Sequence, residues 1–286
     1  MIVNRQPTAQ TSAMTILAAL LEARTGQQIA ANRAWRIETA LKPVLKARGH
    51  DILDQLVAEL LDDHSGIIAD MIVDALLNQE SSFFRDAGVL DTVVAAIDAR
   101  QAASTRKLRI WSAACSNGQE PLSLAMLFAD RLNRTGQPEP EILATDVSEA
   151  AIQRARTARF SQFEIQRGLP VRQMIKWFDA DGSDWLARPE LVRKINFRRH
   201  NLVGDPAPAG RFDVVLCRNV LFYLSPTLRK RVFDLLAEVV RPGGLLVLGA
   251  GETVTGQTDA FAPSTDYRGL YERVAVNNLD VQSVAA

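Results

Sequence analysis

Metal ligands and disulfide partners are scarce in this chain. Its 286 residues include two cysteines, Cys115 and Cys217, and three histidines, His50, His64 and His200. They are scattered, with no CxxC pair and no spacing that closes on a metal ion, so no metal is expected and a reducing compartment is. An excess of charge of either sign is missing too, because 33 basic residues balance 33 acidic ones. A balanced chain has no global field to draw it to nucleic acid or to an anionic membrane, so neither is expected as a partner and any basic patch must be local. Long hydrophobic runs are absent as well. The apolar stretch ending MIVNRQPTAQTSAMTILAAL passes into LEARTG without a cleavage-like site, and it is too short to span a bilayer. The expectation is a cytoplasmic protein with no membrane insertion.

What is present is an apolar fraction of 47%, enough to bury one large domain, or a small domain joined to a larger one. It is laid out in two patterns. Between Ala13 and Leu77, ILAALLEARTG, IETALKPVLKARG, ILDQLVAELLDD and IIADMIVDALL repeat at helical spacing and predict an all-α N-terminal module over residues 1–77. Glycines 26, 49 and 66 stand where helix C-caps would fall, and Pro43 should kink or restart the second helix. A lid or linker segment, 78–104, contains the helical DTVVAAIDARQAAS. Over 105–286, the strand-like LRIWSAAC, EILATDV, INFRRHNL, FDVVLCRN and GGLLVLGA alternate with the helical EPLSLAMLFADRL, SEAAIQRARTA and PTLRKRVFDLLAEVV. That alternation predicts an α/β, Rossmann-like, doubly wound and mainly parallel sheet. A turn in MIKWFDADGSDW followed by WLARPELVRKINF predicts a small β-hairpin insert at about 177–197.

Ligands of open α/β sheets bind at the carboxyl ends of the strands. The first strand runs into SAACSNGQEP, where small residues and Gly118 admit a ligand and Glu120 opens a helix. The second ends at Asp146, whose carboxylate can accept both hydroxyls of a ribose; the third ends at Asn201 and Leu202, the fourth at Asn219, Val220 and Tyr223. Each has a plainer reading: Asp146 and Glu120 as helix-terminal charges, AACSNG as an ordinary turn. Together they form an adenosine-binding arrangement, although one glycine in AACSNG falls short of a dinucleotide fingerprint.

The ordered set NQESSFFRD, IWSAACSNGQEPLSLAM, ILATDVSEAAIQRAR, FRRHNL and FDVVLCRNVLFYLSP, followed by VVRPGGLLVLGAGE, resembles the CheR family of chemotaxis receptor methyltransferases. The resemblance runs from the helical module to about Val274. It implies S-adenosylmethionine as cofactor, S-adenosylhomocysteine as product, and glutamate side chains of the chemoreceptor cytoplasmic helical bundle as substrate. It further implies cofactor contacts at Gln79, Ser81, Arg85, Glu120, Asp146, Asn201, Leu202, Asn219 and Val220, with Arg85 and Tyr223 as catalytic residues. A receptor C-terminal peptide bound by the β-insert is a further implied partner. The chain departs from the family pattern at Gln79 and Ser81, where asparagine and threonine are usual, and at Gln119 and Leu122, where a carboxylate and a tyrosine are usual. Gln79 and Ser81 keep their hydrogen-bonding groups, whereas Leu122 loses a hydroxyl. A non-catalytic S-adenosyl ligand sensor or scaffold, and a methyltransferase for a small molecule or nucleic acid, are the alternatives.

A glutamate is ionised at neutral pH, its reference pKa being ~4.3, so this chemistry asks for no histidine base. On a helix over 33–48, Ile37, Leu41, Val44 and Leu45 form the apolar stripe. Five basic residues against one acidic occupy that span, with Trp35, Arg36, Thr39, Lys42 and Lys46 broadly opposite the stripe. That face is either simply solvated or a docking surface for acidic receptor helices.

Overall fold

The computed structural model describes residues 9–274; residues 1–8 and 275–286, the ends of the two expected domains, lie outside the described residues. The chain divides into two compact units, one of residues up to 78 together with 223–228, the other of 79–222 together with 229 onward.

The first unit contains α1 (Ala9–Thr25), α2 (Trp35–Arg48), α3 (Leu53–Asp62) and α4 (Ile67–Leu76). Each buries a stripe at helical spacing: Leu17 and Leu21 on α1, Ile37, Leu41, Val44 and Leu45 on α2, Leu56 and Val57 on α3, and Ile68, Ile72 and Leu76 on α4. Of the two outcomes expected at Pro43, the restart is not seen: α2 runs unbroken through it, and Leu41, Val44 and Leu45, all buried around the ring, hold the helix across the missing hydrogen bond. Gly49 is a left-handed C-cap, but Gly66 is the N-cap of α4. The turn before it is made by Asp63, whose carboxylate accepts from the Ser65 and Ile68 N–H groups at 2.8 and 2.7 Å. Residues 223–228 join this unit through a bridge between Gln27 and Leu224 and the Gln28 N–H to Tyr223 O bond at 2.8 Å.

The second unit opens with α5 (Ala87–Ala102), then β1 (Arg109–Ala113), α6 (Gln119–Thr135), β2 (Glu141–Asp146) and α7 (Glu149–Thr157). Next come β3 (Arg159–Ser161), α8 (Gln162–Gln166), α9 (Val171–Trp177), β4 (Phe178–Asp181), β5 (Asp184–Ala187) and α10 (Pro189–Val192). It closes with β6 (Ile195–Arg199), β7 (Phe212–Cys217), α11 (Pro226–Val239), β8 (Val240–Leu248), β9 (Phe261–Pro263) and β10 (Tyr271–Arg273). α11 starts in the segment that clusters with the first unit.

The main sheet has the order β6-β2-β1-β7-β8-β10-β9. Its first five strands pair in parallel and β10 pairs antiparallel with both neighbours, so the sheet is doubly wound and mainly parallel, as the alternation predicts. Ile110, Ile142, Ala144, Ile195 and Phe197 bury one face of the sheet in a core shared with Leu90 and Val93 of α5, Leu122 and Met126 of α6 and Ile152 of α7. The short β9 and β10 carry no sequence signal strong enough to predict them.

The insert is larger than a hairpin. β4 and β5 pair as expected, but β3 adds a third strand, giving the order β3-β5-β4. The stretch WLARPELVRKINF is not one strand: it supplies β5, then α10 with Pro189 at its first turn, then β6 of the main sheet. Phe160 of β3 and Phe178 of β4 are buried at 0% and 3% exposure, and both rings meet Phe83 edge-on. The connection 200–211 between β6 and β7 contains no helix, so the opposite sheet face over β6 and β2 receives no crossover helix from it.

Candidate active site

The strand registers place the candidate residues of the second unit on one edge. Ala113 is opposite Thr145 on one side and Cys217 on the other, and Asp146 is opposite Arg199. The segments leaving β1, β2, β6 and β7 therefore emerge together, carrying 114–120, Asp146, 200–202 and 218–220. The backbone there is held out of ordinary geometry. Ala114, Ser116 and Asn219 have φ of 59°, 51° and 60°, and in the segment before α5 Phe84 and Asp86 have 50° and 55°. Left-handed conformations cost non-glycine residues roughly 1–2 kcal/mol each, and such strain persists where surrounding contacts over-determine it, as at ligand sites.

Those contacts are specific. The Asp146 carboxylate accepts from Ser116 N–H at 2.8 Å through Oδ2 and from Ser148 N–H at 3.0 Å through Oδ1. Ser148 in turn caps α7, accepting from Ala151 N–H at 3.0 Å. The cap that is the plainer reading of this turn belongs to Ser148, which leaves Asp146 to tie the two loops together. The Ser116 hydroxyl lies 3.0 Å from Gln79 O and 2.9 Å from Gln79 Oε1, so the longer Gln79 arm is engaged on the same edge. Gln119 and Leu122 are buried at 2% and 0% exposure, and Leu122 packs in the hydrophobic core.

The segment NQESSFFRD is clamped from both ends. Phe83 is 1% exposed and anchored among Phe160 and Phe178. Phe84, half-buried, is held by its backbone, whose N–H donates to Ser123 Oγ of α6 at 3.0 Å. Asp86 pairs with Arg218, which also donates to Glu120 Oε2 at 3.0 Å, while Glu120 Oε1 accepts from Ser112 Oγ at 2.8 Å. Arg85 lies between these two clamps. Its half-buried guanidinium, like the Ser81 hydroxyl, makes no hydrogen bond or ion pair among the described residues.

Two residues of this edge escape the sequence reading. Arg218 is one. The other is Glu252, just after β8, whose carboxylate accepts from the N–H groups of Asn219, Val220, Leu221 and Gly249 at 2.7 to 2.9 Å. It fixes the Asn219–Val220 turn, and its only sequence signal is its place three residues after the strand-end Gly249. Asn201 shapes its own loop, its Oδ1 accepting from Val203 N–H at 3.1 Å and its N–H donating to Asp205 Oδ2 at 2.8 Å. Leu202 beside it is half-buried. Tyr223 belongs to the first unit, where its hydroxyl accepts from Asn78 Nδ2. Cys115 and Cys217 are buried at 2% and 0% exposure, and burial pushes both thiols well above the usual range, which makes them fillers and not nucleophiles. Among the described residues no group of acidic, histidine or cysteine side chains could hold a metal, and no helix is long and apolar enough to cross a membrane.

A carboxylate after the second strand, a guanidinium and a hydroxyl without partners among the described residues on the segment tied to that edge, and small-residue turns fit a nucleoside bearing an amino-acid tail. Residues 79–268 match the family described as CheR methyltransferase, SAM binding domain. A chemotaxis protein methyltransferase of Vibrio anguillarum is 32% identical over 244 residues, covering 84% of this chain and 89% of that protein. The chemotaxis protein methyltransferase Cher2 of Pseudomonas putida is 33% identical over 249 residues, covering 84% and 90%. Among solved structures, the amino pentose methyltransferase CalS10 of Micromonospora echinaspora is a loose likeness at 18% identity and a TM-score of 0.33, covering 60% of this chain and 58% of that one. Matched across about two thirds of its length by that family and about a third identical to these relatives, the chain belongs to the CheR methyltransferase family.

Proposed function

We propose that the protein is a cytoplasmic protein-glutamate O-methyltransferase acting on the cytoplasmic helical bundle of chemoreceptors. The observation that carries this reading is Arg85: a half-buried residue with no counter-charge among the described residues, held between the Phe84 backbone bond to Ser123 and the Asp86–Arg218 ion pair. Bound S-adenosylmethionine supplies an electrophilic methyl group, which a carboxylate oxygen accepts to give a neutral ester and S-adenosylhomocysteine. Glutamate is already ionised at neutral pH, so the residues of the site have no proton to remove. Their work is alignment and exclusion of water. Asp146 accepts the ribose hydroxyls, Glu120, Ser81 and Gln79 hold the amino-acid end, and the Asn201–Leu202 and Asn219–Val220 turns flank the adenine. Arg85 matches a carboxylate with its planar fork, whether that of the cofactor or of the substrate.

Substrate docking falls to the helical module of residues 1–77. On α2 the stripe of Ile37, Leu41, Val44 and Leu45 is buried and Trp35 is 62% exposed, which leaves the basic side of the helix free to steer acidic receptor helices. The β-insert offers short antiparallel strands to a receptor tail peptide. Neutralising receptor carboxylates then biases the signalling state of the bundle.

The test is twofold. Titration calorimetry with S-adenosylmethionine should show binding that Asp146→Ala abolishes, and labelled methyl groups should pass to a receptor fragment in a form released by mild base. Cofactor binding without transfer to any receptor fragment would leave a ligand sensor in place of the enzyme. A base-stable product would replace the glutamate reading with another acceptor.

A further inference from the structure

On the sheet face opposite α6 and α7, a half-open groove of about 830 Å³ runs over β6, β2 and β1. Strand alternation explains its lining: Ile195 and Phe197 point into the core, which leaves Asn196 and Arg198 exposed on the other face. Leu143 and Thr145 form its floor beside His200. The crossover helix that would cover this face in a doubly wound sheet is missing, because 200–211 is irregular.

The walls are basic. Lys194 is paired with Glu139 at 2.6 Å and Arg109 with Glu141 at 3.4 Å. Lys107, Arg193, Arg198 and Arg199 also line the groove and form no ion pair among the described residues. His200 adds an independent sign of a missing partner. It is 9% exposed, its Nε2 lies 3.0 Å from Pro206 O, and its buried Nδ1 has no hydrogen-bond partner among the described residues.

We propose that this groove, whose His200 end adjoins the strand edge that carries Asp146, is a docking site for an acidic polypeptide segment. The cations are strung out and do not converge: Lys107 and Arg193 stand before β1 and β6, whereas Arg198 is opposite Thr145 near the other end. Arg193 stands in the turn two residues before β6 and Arg198 is the fourth residue of that strand, and the strand from Ile195 to Arg198 alone spans roughly 10 Å at ~3.3 Å per residue. One phosphate cannot meet both ends, while a chain with carboxylates at intervals can. Among the described residues β6 pairs with β2 alone, so its outer edge offers main-chain groups to the same segment, apart from Phe197 O, which accepts from Arg156 at 2.8 Å. Nucleic acid fits less well. It wants exposed aromatic faces on which bases stack, and the aromatic residue lining the groove, Phe212, is 0% exposed beneath Arg109.

Charge on an edge strand can also serve only to prevent edge-to-edge association, and the experiment separates the two roles. Fluorescence anisotropy would follow a labelled glutamate–serine repeat peptide of roughly a dozen residues, long enough at ~3.3 Å per residue to span the groove. A glycine–serine peptide and a single-stranded DNA oligomer of the same length are the controls. The protein should prefer the acidic peptide to both, and Lys107→Ser/Arg193→Ser/Arg198→Ser should weaken that binding at least tenfold while leaving S-adenosylmethionine affinity unchanged by calorimetry. Should the triple variant fail to fold, Lys107→Ser and Arg193→Ser singly should each weaken peptide binding about threefold. The proposal is overturned by equal binding of the neutral peptide, by tighter binding of the DNA, or by variants that aggregate or stay soluble with peptide affinity intact.

Discussion

Arg218 Nη1 donates to Glu120 Oε2 at 3.0 Å while its Nη2 bonds Asp86, and its side chain is 3% exposed. One buried cation from the end of β7 thus fastens the first turn of α6 to the segment that carries Arg85. Arg218→Met leaves Glu120, whose side chain is only 15% exposed, without its counter-charge. Breaking a buried pair this way costs about 3–5 kcal/mol. Urea unfolding should show a loss of that order, and calorimetry a cofactor affinity at least tenfold weaker. Arg218→Lys keeps the charge but has no fork to span both acids, so it should fall between. A fully stable Arg218→Met protein would remove the clamp from the account.

Arg85 should behave in the opposite way. Having no partner among the described residues, it contributes little to folding, and Arg85→Ala should change unfolding stability by no more than about 0.5 kcal/mol. Its loss should fall on kcat/KM, by roughly a hundredfold, equivalent to about 2.7 kcal/mol of transition-state stabilisation. Arg85→Lys should recover only part, since the ammonium lacks the planar fork. Methylation by Arg85→Ala at the wild-type rate would end its catalytic assignment.

The contrast between these two arginines shows what a sequence can display. Arg85 stands out because a resemblance carries it, and the five central strands stand out because each is an apolar run bounded by turn residues. Arg218 is invisible by pattern: its partners are 132 and 98 positions away in sequence, and a buried arginine reads like a solvated one until the fold closes over it. Pro43 shows the reverse, where the restart that a local rule allows yields to burial of Leu41, Val44 and Leu45 on either side. Gly66 and the third strand of the insert fail for similar reasons, since Asp63 makes the turn and Phe160 takes its place from its packing on Phe83 and Phe178.

Gly168 joins the insert to the segment before α5. It has φ of +93°, and a Cβ there would lie 2.1 Å from the carbonyl oxygen of Phe83. Gly168→Ala must therefore displace backbone, not a flexible side-chain tip, and with its left-handed strain should cost more than about 2 kcal/mol. Because Phe83 anchors Ser81 and Arg85, cofactor affinity should fall with it. Gly182 is the control: its φ is +65° but a Cβ there meets nothing within 4 Å, so Gly182→Ala should cost only about 1 kcal/mol and leave cofactor affinity alone. Equal effects from the two substitutions would show that the close approach to Phe83 is unimportant.

Asp213 supplies the acid limit of stability. Burial pushes its carboxyl up, but the Arg106 fork, the Arg109 N–H at 2.9 Å and the nearby Arg241 outweigh burial and hold it below the ordinary value. A depressed folded-state pKa means that the carboxylate stabilises the fold fully above the unfolded value of ~3.9 and loses that contribution as pH falls through the lower folded value. Asp213→Asn leaves Arg106 and the start of β1 without the anion, and at pH 7 should cost about 3 kcal/mol. Other carboxylates held low, such as Glu59 and Asp63, titrate in both proteins, so the informative quantity is the gap between wild type and variant. Urea midpoints should show that gap constant from neutral pH down to about pH 5 and narrowing below about pH 4, as the wild-type carboxylate takes up its proton. A gap that stayed the same at the lowest pH where both proteins fold would mean that Asp213 acts through the shape of its hydrogen bonds and not through its charge.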